Sequence, residues 1–200
     1  MEKDLSIGGI VSNGIQLGLK NLVPIIVNAL LFILTFWIPY LNVGTFIGMY
    51  ALVTKMGKGE ENLSFTEIFN PDYRKYMGEF FLCLGLIMMV FMVTAPLMGV
   101  GFVIALAWML APYMVIDKGL SPMDAIKKSN ELTYGKKWTI FLGIIALYFA
   151  IAIGGGILLF IAGKIHALVS VIAFILVYVV GIVGMMGAYA HIYRTLTSKA

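Results

Sequence analysis

Charge interrupts this chain in only a few places. Between Lys20 and Lys55, between Glu79 and Asp117, and from Trp138 to Tyr193, Lys164 is the sole Asp, Glu, Lys or Arg. Uncharged intervals of that length belong in lipid, where the backbone finds no outside hydrogen-bond partner and must form helices or a closed barrel. Barrel strands would alternate apolar and polar residues, whereas these runs are apolar on every face. The expectation is an all-α, polytopic integral membrane protein forming one transmembrane domain over residues 1–200. Composition agrees: 61% of residues are hydrophobic and 12% charged, against about 45–50% and about 25% in soluble domains. That excludes a soluble globule and a disordered chain, and the lone Cys83 excludes an intrachain disulfide.

A span needs about 20 residues, so each uncharged interval reads as a hairpin. Hairpins are expected at about 21–55, 79–117 and 138–194, joined by connectors 56–78 and 118–137. Six helices result: 22–37, 43–54, 80–97, 102–116, 138–162 and 167–193. The second, set off by Pro39, Asn42 and Gly44, is short, and a re-entrant or tilted piece is an alternative for it. The second hairpin turns at Met98-Gly99-Val100-Gly101 and the third at Gly163-Lys164-Ile165-His166.

With both termini and both connectors on one side, that side holds every Lys and Arg except Lys164, Lys3 and Lys199 included, together with all 10 acids. The positive-inside rule makes that side, with both termini and both connectors, the cytoplasm. No cleaved signal is expected, because the apolar core starts only after Lys20 and runs on without a small-residue cleavage site. Residues 4–20 form an amphipathic, glycine-bearing stretch expected to lie in the interface. Short interfacial helices should also start at Ser64-Phe65-Thr66-Glu67 and Ser121-Pro122-Met123-Asp124, each with a capping serine and an acid three residues on. Similar spacing in the two connectors suggests a helix-plus-hairpin unit used three times, with 1–57 as the first copy.

Nothing at depth carries chemistry. Asn28, Thr35, Asn42, Thr94 and Ser170 are the polar side chains within the spans, none of them ionisable. His166 and His191 stand about 37 Å apart on one helix and cannot share a metal. Cys83 sits in apolar company as an inert thiol, and Gly154-Gly155-Gly156 lies inside a span, where it cannot cradle a nucleotide but could bend the helix. Neither a cofactor, a metal nor a nucleic-acid partner is expected. Small residues do recur at helical spacing, in Gly44/Gly48, Ala146/Ala150/Gly154 and Gly181/Gly184/Gly187, which suits close helix packing within the chain or in a homo-oligomer. Lys127, Lys128, Lys136 and Lys137, beside Tyr134 and Trp138, form a basic aromatic edge suited to lipid headgroups.

One stretch resembles a known group. Pro112, Asp117, Gly119, Ser121, Ala125, Ser129 and Trp138 match a recurring pattern of six-helix bacterial membrane proteins related to the membrane domain of glycerophosphodiester phosphodiesterases. In that pattern a span carries proline near its end, then Asp, Gly, Ser, Ala-x-x-x-Ser and a tryptophan opening the next span. The resemblance implies a membrane fold and no activity, since the catalytic barrel of the phosphodiesterases is a separate domain for which this chain has no room. Its matched residues read as structural: Pro112 bends a span, Gly119 turns the chain, Ser121 caps a helix and Asp117 holds the turn. Together these features predict a non-enzymatic scaffold, partner-binding or lipid-organising protein of the cell envelope, with membrane lipids, a second copy or another membrane protein as partners. The alternative is a small oligomeric transporter or channel, which would need a continuous polar path lined by the five polar side chains at depth.

Overall fold

The computed structural model describes residues 4–60, 62–94 and 96–198, so Lys3 and Lys199 lie outside the described residues. Among these, every regular element is helical: α1 (Ile7–Lys20), α2 (Leu22–Thr35), α3 (Leu41–Lys58), α4 (Met77–Thr94), α5 (Met98–Trp108), α6 (Ala111–Lys118), α7 (Pro122–Thr133), α8 (Lys137–Ile165) and α9 (Ala167–Thr197). Four helical stretches are long and apolar enough to cross a membrane, at Pro71–Thr94, Gly99–Lys118, Lys137–Ile165 and Ala167–Thr197, or five if the bent pair α1 and α2 is one span.

Two upright hairpins frame the molecule. In the first, α4 turns at Pro96, where a ring without an N–H ends the helix, so Gly99 and Gly101 are helical and the expected turn at 98–101 lies too late. In the second, α8 runs unbroken through Gly154-Gly155-Gly156, with Gly155 packed on Val177 of α9. His166 alone makes the turn, its Nδ1 accepting from Leu168 N at 3.2 Å. Phe102 and Phe141, ring centres 4.5 Å apart, join the hairpins.

Against this frame the first third of the chain takes an unexpected course. Ser6 caps α1 by accepting from Gly9 N at 3.0 Å, and α1 then runs antiparallel along α9: Gly9 lies beside His191, Gly14 against Ala188, and Gly18 against Val183. A Cβ at Gly14 would stand 2.8 Å from Ala188 Cα, and one at Gly18 would strike the Val183 carbonyl. The other side of α1 drives Ile10 into the space left by Gly143 of α8. Gly14 and Gly18 therefore serve backbone contact inside the protein, in the stretch expected to form an amphipathic interfacial helix.

At Asn21 the chain bends by 78° into α2, so α2 crosses the direction of α9 instead of following it. After Tyr40, whose φ of 64° reverses the chain, α3 packs back along α2. Both ends of α3 meet the charged ends of the upright helices: Gly44 sits near Arg74, just ahead of α4, while Lys58 pairs with Asp117 and Gly59 lies near Arg194. Between them Tyr50 stacks against Phe80 of α4 and Tyr113 of α6, at 5.1 and 5.0 Å, and Gly57 touches Ala190 of α9. A helix crossing a bilayer beside α4 would have one end near Thr94; α3 instead lies across the upright helices at one level, buried from Thr45 to Gly57 apart from Phe46, Met49, Tyr50 and Lys55. Residues 43–54 are not among the four long apolar stretches, and much of α3 is buried in the protein, which selects the same residue types as lipid does.

The connectors also part company. The second forms α7 as expected, with Ser121 Oγ accepting from Asp124 N and donating to its carboxylate at 2.6 Å. The first, however, does not start a regular helix at Ser64. Ser64 Oγ accepts from Thr66 N in a short turn, and 3₁₀ turns follow at Glu67–Phe69 and Pro71–Tyr76, the latter capped by Asn70. This segment is pinned between α2 and α3, with Ile68 backbone seated over Gly48. The three expected copies of one unit are therefore not alike in three dimensions.

Candidate functional site

Six of the seven matched residues build a joint. Pro112 opens α6 after the break that ends α5 at Trp108, leaving backbone groups there without helical partners. Ser129, fully buried on α7, supplies them: its Oγ donates to Ala107 O at 2.7 Å and accepts from Leu110 N at 3.2 Å. Thr133 adds a second donor to Ala107 O at 3.2 Å. Ala125 is buried on the same face, Gly119 closes α6 with φ of 62°, and Ser121 starts α7. Trp138 stands apart, 72% exposed and touching Phe141 edge-on.

Asp117 links this joint to the rest of the charged end. One of its carboxylate oxygens pairs with Lys58 of α3 and the other accepts from the Tyr193 hydroxyl of α9. A second buried acid, Glu67, pairs with Lys55 at 2.9 Å and accepts from the Tyr73 hydroxyl. Burial alone would raise the Glu67 carboxyl, but the bonds from Tyr73 and Lys55 outweigh it and hold the group below its ordinary value. Lys55 is held above its own, desolvation being outweighed by Glu67.

Between the C-terminal half of α1, the stretches 56–60 and 62–65 and the last turns of α9 opens a cleft of about 1500 Å³. Cationic Lys20, Lys58 and Arg194 line it with His191, Asn13 and Gln16, and Glu60 is the acid on its described wall. Glu60 leans to Lys55 at 3.7 Å and Lys58 is engaged by Asp117. At its inner edge the cleft turns apolar, with Leu17, Val23, Pro24 and Phe65.

The basic edge named from the sequence lies elsewhere, around the start of α8. Lys128 pairs with Glu131 at 3.3 Å, Lys136 reaches Asp4 at 4.0 Å, Lys137 bonds Asn130 at 3.2 Å and stands over Tyr134, and Lys127 is exposed on α7. The polar side chains at depth are bonded to nearby backbone. Asn28 is fully buried, donates to Pro24 O and Ser64 O at 2.9 and 2.8 Å, and accepts from Ile68 N at 3.1 Å. Thr35, Thr94 and Ser170 donate to carbonyls of the preceding turn, and Asn42 to Phe36 O. Of the small-residue stripes, Gly48, Gly184 and Gly187 pack inside the chain, whereas Gly154 and Gly181 face open space.

The residues that sequence reasoning missed are Arg194, Gln16, Asn13 and the Glu67–Lys55–Tyr73 set. Glu67 read as the third-position acid of a capped helix in a polar connector, so its burial had no local signal; nor had the cleft, because its walls come from three distant segments. Compared with known protein families, with characterised proteins and with solved structures, the chain matches none of them.

Proposed function

We propose that this is a non-enzymatic integral protein of the bacterial cytoplasmic membrane that organises lipid or holds a partner at its cytoplasmic rim. In this reading four upright helices cross the bilayer, and α1, α2, α3 and both termini stay on the cytoplasmic side. Positive-inside logic supports four spans as well as six, since either even number leaves all of the described cations but Lys164 on one face. The likeness of the Pro112 to Trp138 stretch to the phosphodiesterase membrane domains belongs to this proposal too, as a shared joint without shared chemistry.

One observation carries the reading. Side chains that would have to line a polar path, Asn28, Thr35, Asn42, Thr94 and Ser170, are spent on backbone groups, while the open, cation-lined cleft sits at the charged end. A conducting pathway needs polar groups that face water along its length. Reconstituted into vesicles, the protein should leave the permeability to K⁺, H⁺ and small solutes at the level of protein-free vesicles. Purification from native membranes in mild detergent should meanwhile retain a lipid or protein at fixed stoichiometry. Saturable solute flux would overturn this reading in favour of a transporter.

A further inference from the structure

We infer that the cleft beside Arg194 is a binding site for the phosphate of an anionic phospholipid headgroup. This rests on the rim being the working surface and names what it holds. Arg194 makes no ion pair among the described residues, whereas Lys58 is drawn to Asp117 and Glu60 to Lys55, so positive charge in the cleft is concentrated at Arg194. Guanidinium matches the geometry of a phosphate bidentately. Asn13 and Gln16, one helical turn apart on α1, add amide donors on the facing wall, the pattern needed for glycerol or phosphate oxygens.

Depth supplies the second argument. Counted from Ala167, a hydrocarbon layer of about 30 Å covers roughly 20 residues of α9 at about 1.5 Å each, ending near Gly187. The contact of Gly18 with Val183 and Gly187 puts the α1–α2 bend at that level. The cleft therefore runs from Arg194, on the aqueous side, to the plane of the headgroups, and its apolar end at Leu17, Val23 and Phe65 opens where acyl chains begin. A soluble anion would need no such lip. Exposed Val23 and Leu30 on α2, which leaves α1 at 78°, continue the apolar surface along the same plane.

The test uses the full chain, purified and embedded in nanodiscs of phosphatidylcholine with a minor fraction of phosphatidylglycerol, released into a mass spectrometer to count bound lipid. Wild type should retain phosphatidylglycerol selectively. Arg194→Gln should lower that selectivity about tenfold, the effect of removing a charge-assisted bond, and Arg194→Lys should retain part of it. Gln16→Trp fills the cleft from an exposed position without removing charge, so its loss of selectivity with an unchanged melting temperature separates occupancy from folding. Lys75→Gln with Lys118→Gln, at exposed cations outside the cleft, should leave selectivity intact. Equal retention by wild type and the cleft variants overturns the site while leaving the rim reading in place; saturable flux would do the opposite. Stabilisation by inorganic phosphate or glycerol phosphate as large as that by phosphatidylglycerol would overturn the lipid as the source.

Discussion

Tyr193 donates a hydrogen bond to Asp117, and Lys58 reaches the other oxygen of the same carboxylate. One acid at the end of α6 thus ties α3 and α9 together, in a layer where Tyr113 stacks on Tyr193 at 6.0 Å. The Asp117 side chain is 6% exposed, so its partners set the cost of burying it.

Tyr193→Phe should lower stability by about 1.5–3 kcal/mol, the worth of one bond to a charged acceptor. Asp117→Ala should cost more, because it removes both links and leaves the Tyr193 hydroxyl without its acceptor. Tyr178→Phe, at a site 59% exposed on the same helix, serves as the control. Thermal unfolding in detergent ranks the three; equal melting points for Tyr193→Phe and Tyr178→Phe would refute the link.

Gly18→Val should prevent α1 from seating on α9, because the new Cβ meets Val183 backbone, which cannot move aside. Overpacking of this kind costs about 1–3 kcal/mol or more. Gly154→Leu should be tolerated, since nothing lies within 4 Å of a Cβ there. Size-exclusion profiles and melting points distinguish the outcomes: loss of the monodisperse peak is expected for the first substitution alone.

Acid should loosen the pinned connector through Glu67. Its carboxyl lies below the ordinary value of 4.5 in the folded protein, so its ionised form contributes stability above that pH and the contribution disappears as pH falls through the folded value. Lys55, held above 10.5, stays charged throughout this range and adds no pH dependence of its own. Glu67→Gln should therefore melt below wild type at pH 7, and the gap should close as the pH is lowered past about 4. A gap independent of pH would remove Glu67 as its cause.

In a Cys83→Ala background, Tyr40→Cys should react with a membrane-impermeant maleimide from the cytoplasmic side, and Lys164→Cys from the outside. Tyr40 is 91% exposed in the turn between α2 and α3. Six spans would place both positions outside, so labelling of Tyr40→Cys in intact spheroplasts would restore the transmembrane hairpin over 21–55.

The long apolar helices were legible because length and hydropathy suffice for them: α8 and α9 begin and end within a few residues of expectation, and α4 starts and ends three residues early. The course of residues 21–58 was not. Asn28 reads as a polar residue at depth in either arrangement, and only the position of Ser64 and Ile68 shows that it fastens the connector. Similarly, Gly14 and Gly18 look like weak helix formers until Ala188 and Val183 are set against them. Ser121 and Gly119 were readable from local rules, as caps are; Ser129 was not, since its role depends on a helix break at Leu110 in another element.

The seating of α1 between α8 and α9 sets the order in which this protein can mature. Ile10 and Gly14 emerge from the ribosome first, whereas Gly143 and Ala188, their partners, come almost a whole chain later. Until then α1 has nowhere to dock, and its inward-facing surface stays unpaired. Seating of α1 is consequently a late event in folding, and a chain truncated before α9 would lack the surface on which Gly14 and Gly18 close.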